Sequence, residues 1–231
     1  MNKIKYIIVF LVSVGLFSSC ELDNLEGPTA DLYGSIIDDV TGDLVEQDII
    51  RGGELELREA GFENVAPQFM NYKVDGTFRD SKLFANTYKV LPVRTNFQSI
   101  DTIEVNISGS TKLDLVVSPY IRIKDASITN VGGIVTATFS LEQTGFGNVS
   151  KIGLYAGADK NVGEPARLVK KETNINAPVS PLNPVTTYTL SINTNNEIDL
   201  KTGKFYYFRI GALYDAPNAR FNYVTAVEIQ L

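Results

Sequence analysis

Hydrophobic and polar residues alternate along most of this chain. Leu55 and Leu57 alternate with Glu54, Glu56 and Arg58, and Met70, Tyr72 and Val74 with Asn71 and Lys73. Ile103, Val105 and Ile107 share one parity, as do Leu113, Leu115 and Val117. Successive side chains of a strand point to opposite faces, so a period of two means strands with one face on a core and one in water. Turn formers punctuate the runs at Thr41-Gly42, Gly52-Gly53 and Asp75-Gly76. The last lies between Tyr72-Lys73-Val74 and Thr77-Phe78 and predicts a hairpin. Pro119 interrupts the pattern, which resumes at Tyr120-Ile121-Arg122-Ile123. Val135, Ala137, Phe139 and Leu141 alternate after Gly132-Gly133, Ile152-Gly153-Leu154-Tyr155 reads as a central strand, and Tyr188, Leu190 and Ile192 form another face. In the run from Phe205 to Leu213, Tyr206, Phe208, Ile210 and Ala212 lie on one side. No stretch keeps helical periodicity over three turns. The prediction is an all-β protein of two small antiparallel β-sandwich domains in tandem, at 30–118 and 119–231, joined by a linker short enough to keep them close.

The first residues break this pattern. Lys3 and Lys5 precede an apolar run from Tyr6 to Phe17. Twelve residues fall short of the ~20 that a membrane-spanning helix needs, and suit the apolar region of a signal peptide at 1–19. Phe17-Ser18-Ser19-Cys20 follows and resembles a bacterial lipobox, in which the cysteine is lipidated and becomes the first residue of the mature chain; Phe17 stands where Leu is more usual. More than one acyl chain on Cys20, as in the proteins it resembles, implies stable anchoring in the outer membrane. The stretch Glu21-Leu22-Asp23-Asn24-Leu25-Glu26 resembles the surface-export signal of Bacteroidota lipoproteins and is also a solvated tether. With Cys20 it makes up residues 20–29, and Gly27 and Pro28 mark the start of folded structure.

Composition narrows the chemistry. Apolar residues make up 44% of the 231 and charged residues 21%, ordinary for a globular protein. Cys20 is the only cysteine, so the folded part holds no disulfide and relies on apolar cores. There is no histidine, which removes the commonest general base and metal ligand and excludes Ser–His and Cys–His nucleophile pairs. Residues 20–119 carry 8 basic and 18 acidic side chains, residues 120–231 carry 11 and 9. The step supports two domains, and neither half has the basic face that nucleic acid requires.

Short phrases resemble known folds. Gly34-Ser35-Ile36-Ile37-Asp38 with Thr41-Gly42-Asp43-Leu44-Val45 resembles the first hairpin of transthyretin-like and carboxypeptidase-regulatory-like domains. Asp75-Gly76-Thr77-Phe78 and the segment Leu83 to Val90 resemble a later segment of those domains; Asn86 takes the usual glycine position, as a turn residue that tolerates positive φ. The segment Leu200 to Tyr206 resembles the entry to strand F of fibronectin type III domains, which implies that the Tyr206 hydroxyl ties a corner of the second sandwich. The whole chain resembles a Bacteroidota surface-lipoprotein family of unknown function with paired N- and C-terminal domains. Asp48-Ile49-Ile50-Arg51-Gly52, Lys151-Ile152-Gly153-Leu154-Tyr155 and Tyr206 to Leu213 carry that resemblance. It implies an accessory protein of an outer-membrane nutrient-uptake system, with a TonB-dependent receptor and its glycan-binding lipoprotein as partners, and polysaccharide or oligosaccharide as ligand. It implies no cofactor.

Candidate sites follow from residue type and loop position. Asp38, Asp39, Asp43, Glu46 and Asp48 could offer oxygen to calcium but lack the spacing of a calcium loop, and read as a solvated hairpin; no metal site is assigned. No carboxylate pair is marked for glycoside cleavage, so no catalytic residue is assigned and the chain reads as a non-enzyme. Sugars stack on aromatic faces. Phe62 lies in the loop from Ala60 to Gln68. In a fibronectin-like sandwich the B–C loop, here with Phe146, and the F–G loop, here with Tyr214, Arg220, Phe221 and Tyr223, share one end. That end is either a ligand-binding patch or the packing surface against the first domain. The start of strand A at the same end favours packing. The loop Gly157 to Arg167 is expected to point away from the first domain, towards a partner. Asp101-Thr102-Ile103 resembles the Bacteroidota O-glycosylation sequence. Two functions remain in front: a glycan-binding or accessory component of an uptake complex, and a structural or adhesive surface protein that docks partners without glycan.

Overall fold

The computed structural model describes residues 26–179 and 186–231. The signal segment, Cys20 and the acidic stretch before Glu26 lie outside them.

The alternation in the first half folds into two four-stranded sheets. One is built on β1 (Ala30–Asp38), with β4 (Thr77–Leu83) antiparallel on one side and β7 (Ser110–Lys112) and β8 (Leu115–Val117) parallel on the other. The other runs β3 (Gln68–Asn71), β2 (Glu54–Glu59), β5 (Asn86–Val93), β6 (Ile103–Ile107), all antiparallel. Leu32 and Ile36 of the first sheet and Leu55, Leu57, Tyr88 and Val90 of the second are fully buried in one cluster. Gly34 is required in β1, because a Cβ there would stand 1.7 Å from the Leu113 carbonyl oxygen.

Two local expectations change. The Asp75-Gly76 turn forms, with Gly76 at φ 77° and the Asp75 side chain accepting from the Thr77 amide at 3.0 Å. It does not close a hairpin of a single sheet, since β3 pairs with β2 and β4 with β1. The Leu44–Gln47 segment takes up the neighbouring backbone groups: Gln47 N–H donates to the Val74 carbonyl at 2.9 Å. Asn86 is absent from the positive-φ residues. It opens β5 and its amide donates to Glu59 and to the Ala60 carbonyl, a polar role that a glycine could not fill.

The second half repeats the architecture. β9 (Ile121–Val131), β10 (Ile134–Gln143) and β13 (Thr187–Asn193) form a three-stranded sheet in the order β13-β10-β9. Facing it is the sheet of β12 (Val169–Ala177), β11 (Val149–Gly157), β14 (Phe205–Tyr214) and β15 (Phe221–Tyr223), with β16 (Val227–Gln230) also on β14. Val135, Ala137, Phe139 and Leu141 meet Ile152, Leu154, Phe208, Ile210 and Ala212 in the core. The Tyr206 hydroxyl accepts from the Lys201 amide at 2.9 Å and donates to the Asp199 carbonyl at 3.3 Å, tying the chain before β14 to the sandwich.

The two sandwiches abut end to end. Tyr120 N–H donates to the Asn96 carbonyl at 3.0 Å and Gln98 N–H to the Ser118 carbonyl at 2.9 Å, so the link between β8 and β9 is pinned along its length. The loops carrying Phe62 and Phe84 and the start of β1 lie at the other end of the first sandwich, since Leu83 pairs with Ala30 and Ala60 N–H donates to the Thr87 carbonyl.

Candidate functional site

The junction between the sandwiches concentrates the buried polar residues. Arg209 sits at the centre of β14, its parity opposite to that of Phe208 and Ile210, and it is fully buried. Its guanidinium donates to the carbonyls of Val224, Gln47 and Val162 and pairs with the Glu46 carboxylate. It lies 4.3 Å over the Tyr223 ring. Glu46 in turn accepts from the Thr225 hydroxyl at 2.6 Å. A buried charge is tolerated only when paired and fully hydrogen-bonded, and these contacts satisfy that condition across the two domains.

An amide seam runs beside it. Gln47 donates to Asn96 Oδ1 at 2.8 Å, Asn96 donates to the carbonyls of Glu46 and Phe221, and Asn222 donates to the Asn96 carbonyl at 2.8 Å. At the seam's outer edge Arg122 bridges Asp38, Asp39 and Glu142. Burial opposes the charge on Asp38, but the Arg122 hydrogen bonds and the Val40 and Thr41 amides outweigh it and hold the carboxyl below its ordinary value.

The acidic segment Asp38 to Asp48 is therefore solvated only at its tip, where Asp39 and Asp43 are exposed. Asp38 and Asp48 are buried and Glu46 is paired, because the second domain covers them. Asp48 Oδ1 accepts the Ile50 and Arg51 amides at 2.8 Å each, and its Oδ2 accepts from the Tyr223 hydroxyl at 3.2 Å. Among the described residues no group of three or more acidic side chains is placed to hold a metal ion.

The loop Gly157 to Arg167 also departs from expectation. It does not point away from the first domain. Val162 is buried against Tyr155 and Tyr223, which draws the loop back over the outer face of the β11–β14 sheet. There Glu164 pairs with Arg51 at 3.0 Å. A Cβ on Gly163 would stand 2.4 Å from Asp48 Oδ2, so any larger residue here would displace that carboxylate.

The six aromatic and basic candidates separate into different settings. Phe62 is exposed at the far end of the first domain. Phe146 is fully exposed at the tip of the loop between β10 and β11. Tyr214 is buried, stacked on Tyr120 with ring centroids 4.6 Å apart, and the glycines at 145 and 147 close over its hydroxyl. Tyr223 belongs to the seam. Its hydroxyl is pushed well up in pKa, first by burial and then by Asp48, and stays protonated. Arg220 and Phe221 are half-buried and border solvent. Thr102 is exposed just before β6.

Two depressions flank the loop from β14 to β15. One, of about 220 Å³, is lined by Asp48, Arg51, Lys151, Glu164, Arg220 and Phe221 among others. The other, of about 390 Å³, is lined by Phe69, Arg94, Ser99, Tyr120, Pro217 and Asn218 among others. Ala219 borders both. Phe69 and Tyr120 were not singled out from the sequence: Phe69 precedes an apolar-parity residue and reads as an ordinary outward strand position.

The chain is similar to known proteins along nearly its whole described length. Residues 30–118 match the family described as "Protein of unknown function (DUF3823) N-terminal domain", and residues 121–228 the one described as "Domain of unknown function (DUF3823_C)". No curated protein matches it. A crystal structure from Bacteroides uniformis, named a "putative carbohydrate binding protein", is 35% identical with TM-score 0.75, covering 89% of this chain and 100% of its own. A DUF3823 family protein from Parabacteroides merdae is 20% identical with TM-score 0.75 over 89% and 100%. One from Bacteroides ovatus is 23% identical with TM-score 0.72 over 87% and 99%. These last two share the fold.

Proposed function

Since this chain belongs to the two-domain DUF3823 family, we propose that it is a non-catalytic lipoprotein of the outer-membrane surface that captures glycan for a TonB-dependent uptake system. The observation that carries this is the surface around the loop 215–220. Two adjacent depressions there present aromatic and basic side chains on a rigid junction, the arrangement a chain of sugar rings needs. The 35%-identical relative named for carbohydrate binding supports it, as does the lipobox-like Phe17 to Cys20. Three carboxylates at the junction serve ion pairs: Asp38 and Glu142 with Arg122, and Glu46 with Arg209.

The test is a polysaccharide-affinity and glycan-array screen of the soluble protein lacking residues 1–20. Binding is expected to at least one polymer, weakened by Phe69→Ala or Phe221→Ala without loss of folding. Uniform failure to bind removes direct glycan capture. A docking role without glycan is the second reading. It is favoured by Phe62 and Phe84, 63% and 51% exposed at the end of the first domain where the described chain begins. Under that reading Phe62→Ser with Phe84→Ser abolishes co-purification with a TonB-dependent receptor.

A further inference from the structure

The smaller depression beside the loop 215–220 is unevenly charged. Three cations line it, Arg51, Lys151 and Arg220, against two carboxylates, Asp48 and Glu164. Both carboxylates are committed. Asp48 holds the Ile50 and Arg51 amides and the Tyr223 hydroxyl. Glu164 pairs with Arg51 and, at 3.5 Å, with Arg167. Among the described residues Lys151 pairs only with Glu172, at 3.8 Å.

Arg220 stands apart. It takes part in no ion pair among the described residues, and its Nε is buried with no hydrogen-bond partner. Its backbone N–H is fixed by the Thr95 carbonyl at 3.0 Å, so the residue is held in place while its charge goes uncompensated. A partly desolvated guanidinium without a counter-charge is costly, and an anion in the cleft offsets that charge at the accessible end of the fork, since Nε itself is sealed from solvent. The planar guanidinium fork matches a carboxylate in particular. Phe221 follows it on the same wall. Its ring is stacked on Tyr223 at 5.6 Å and set edge-on to Tyr155 at 6.0 Å, which locks its orientation.

We propose that this cleft binds a hexuronic acid residue of an acidic polysaccharide, with its carboxylate on Arg220 and its ring beside Phe221. A uronic acid carries the carboxylate directly on the pyranose ring, so charge and ring are adjacent, as Arg220 and Phe221 are. The volume of about 220 Å³ suits one such ring. The chain as a whole carries −6, so long-range attraction does not favour this ligand, and recognition depends on the local cations. The proposal rests on the glycan-capture reading and adds the charge class of the glycan.

The experiment is isothermal titration of the protein lacking residues 1–20 with polygalacturonate, alginate and hyaluronan, beside methyl-esterified pectin and xyloglucan as uncharged probes. At least one acidic polymer is expected to bind. Its affinity should fall about tenfold or more with Arg220→Gln, and should weaken as salt rises. The Arg220→Gln protein should melt no lower than the natural one, because the side chain holds no partner to lose and an unmatched guanidinium is removed. Equal binding of esterified and acidic pectin, or an acidic polymer held undiminished by Arg220→Gln, overturns the uronic acid assignment while leaving glycan capture in place. Binding of the uncharged probes alone does the same. Binding of no polymer, charged or uncharged, overturns both.

Discussion

At the scale of single residues, two tyrosines with similar burial make opposite contributions. The Tyr72 hydroxyl is buried in the first sandwich with no hydrogen-bond partner, and burial, then Glu54, raises its pKa. The Tyr206 hydroxyl makes two backbone hydrogen bonds. An unmet buried hydroxyl is costly, and a met one contributes a modest net gain. Tyr72→Phe is therefore expected to raise the unfolding free energy by about 1 kcal/mol and Tyr206→Phe to lower it by about 1 kcal/mol, read from urea midpoints. The sequence shows the Tyr206 role through the Leu200–Tyr206 spacing, because the corner is local. It gives no sign of the unpartnered Tyr72 hydroxyl, nor of the partners of Arg209, since Glu46 lies 163 residues away.

At the scale of elements, the hairpin after β1 is clamped to β9 and β10 by Arg122. Asp38 is held below its ordinary 3.8 by the balance already described. Glu142 is held below 4.5, first by the Lys124 hydrogen bond, then against burial by Arg122. A carboxyl whose folded pKa is depressed adds stability above its unfolded pKa and loses it as pH falls through the folded value. The clamp's contribution should be complete above about pH 5 and vanish progressively below the ordinary value of each group. The urea midpoint should drop between about pH 5 and pH 2.5, and Asp38→Asn should flatten that drop. A wild-type midpoint constant over that range would contradict the clamp. The strands themselves were legible: the alternation at Leu55–Leu57 and Val135–Leu141 became buried faces. Their partners were less so. Asp75-Gly76 encodes a turn, but which sheet each arm joins is decided by Tyr72 and Phe78, packed 5.8 Å apart in the core, and by the Leu44–Gln47 segment.

At the scale of the molecule, the junction makes two sandwiches one mechanical unit. Its groups are polar, buried and drawn from both halves, so separating the halves strips Arg209 of Glu46 and the Gln47 carbonyl, and Asn96 of Asn222 and the Phe221 carbonyl. Removing a buried ion-pair partner typically costs about 3–5 kcal/mol. Arg209→Ala is expected to lower stability by about that amount and to split a single calorimetric transition into two. One unchanged transition would show that the halves are coupled by other means. The same junction explains why the candidate residues of the loop 214–223 were ambiguous in sequence. The loop serves both roles: Asn222 and Tyr223 face the seam, whereas Arg220 and Phe221 border open depressions.

The buried guanidinium of Arg209 also limits how such a gene can be rearranged. A second half transplanted onto another first half would carry this cation to a neighbour lacking Glu46 and the Gln47 carbonyl, and a first half alone would leave Gln47 and Asn96 open to water. Fusion and shuffling should therefore succeed only when the stretch around Asp38 to Asp48, the Asn96 turn and residues 209–225 are exchanged together. Inheritance here is expected to act on the pair rather than on either sandwich.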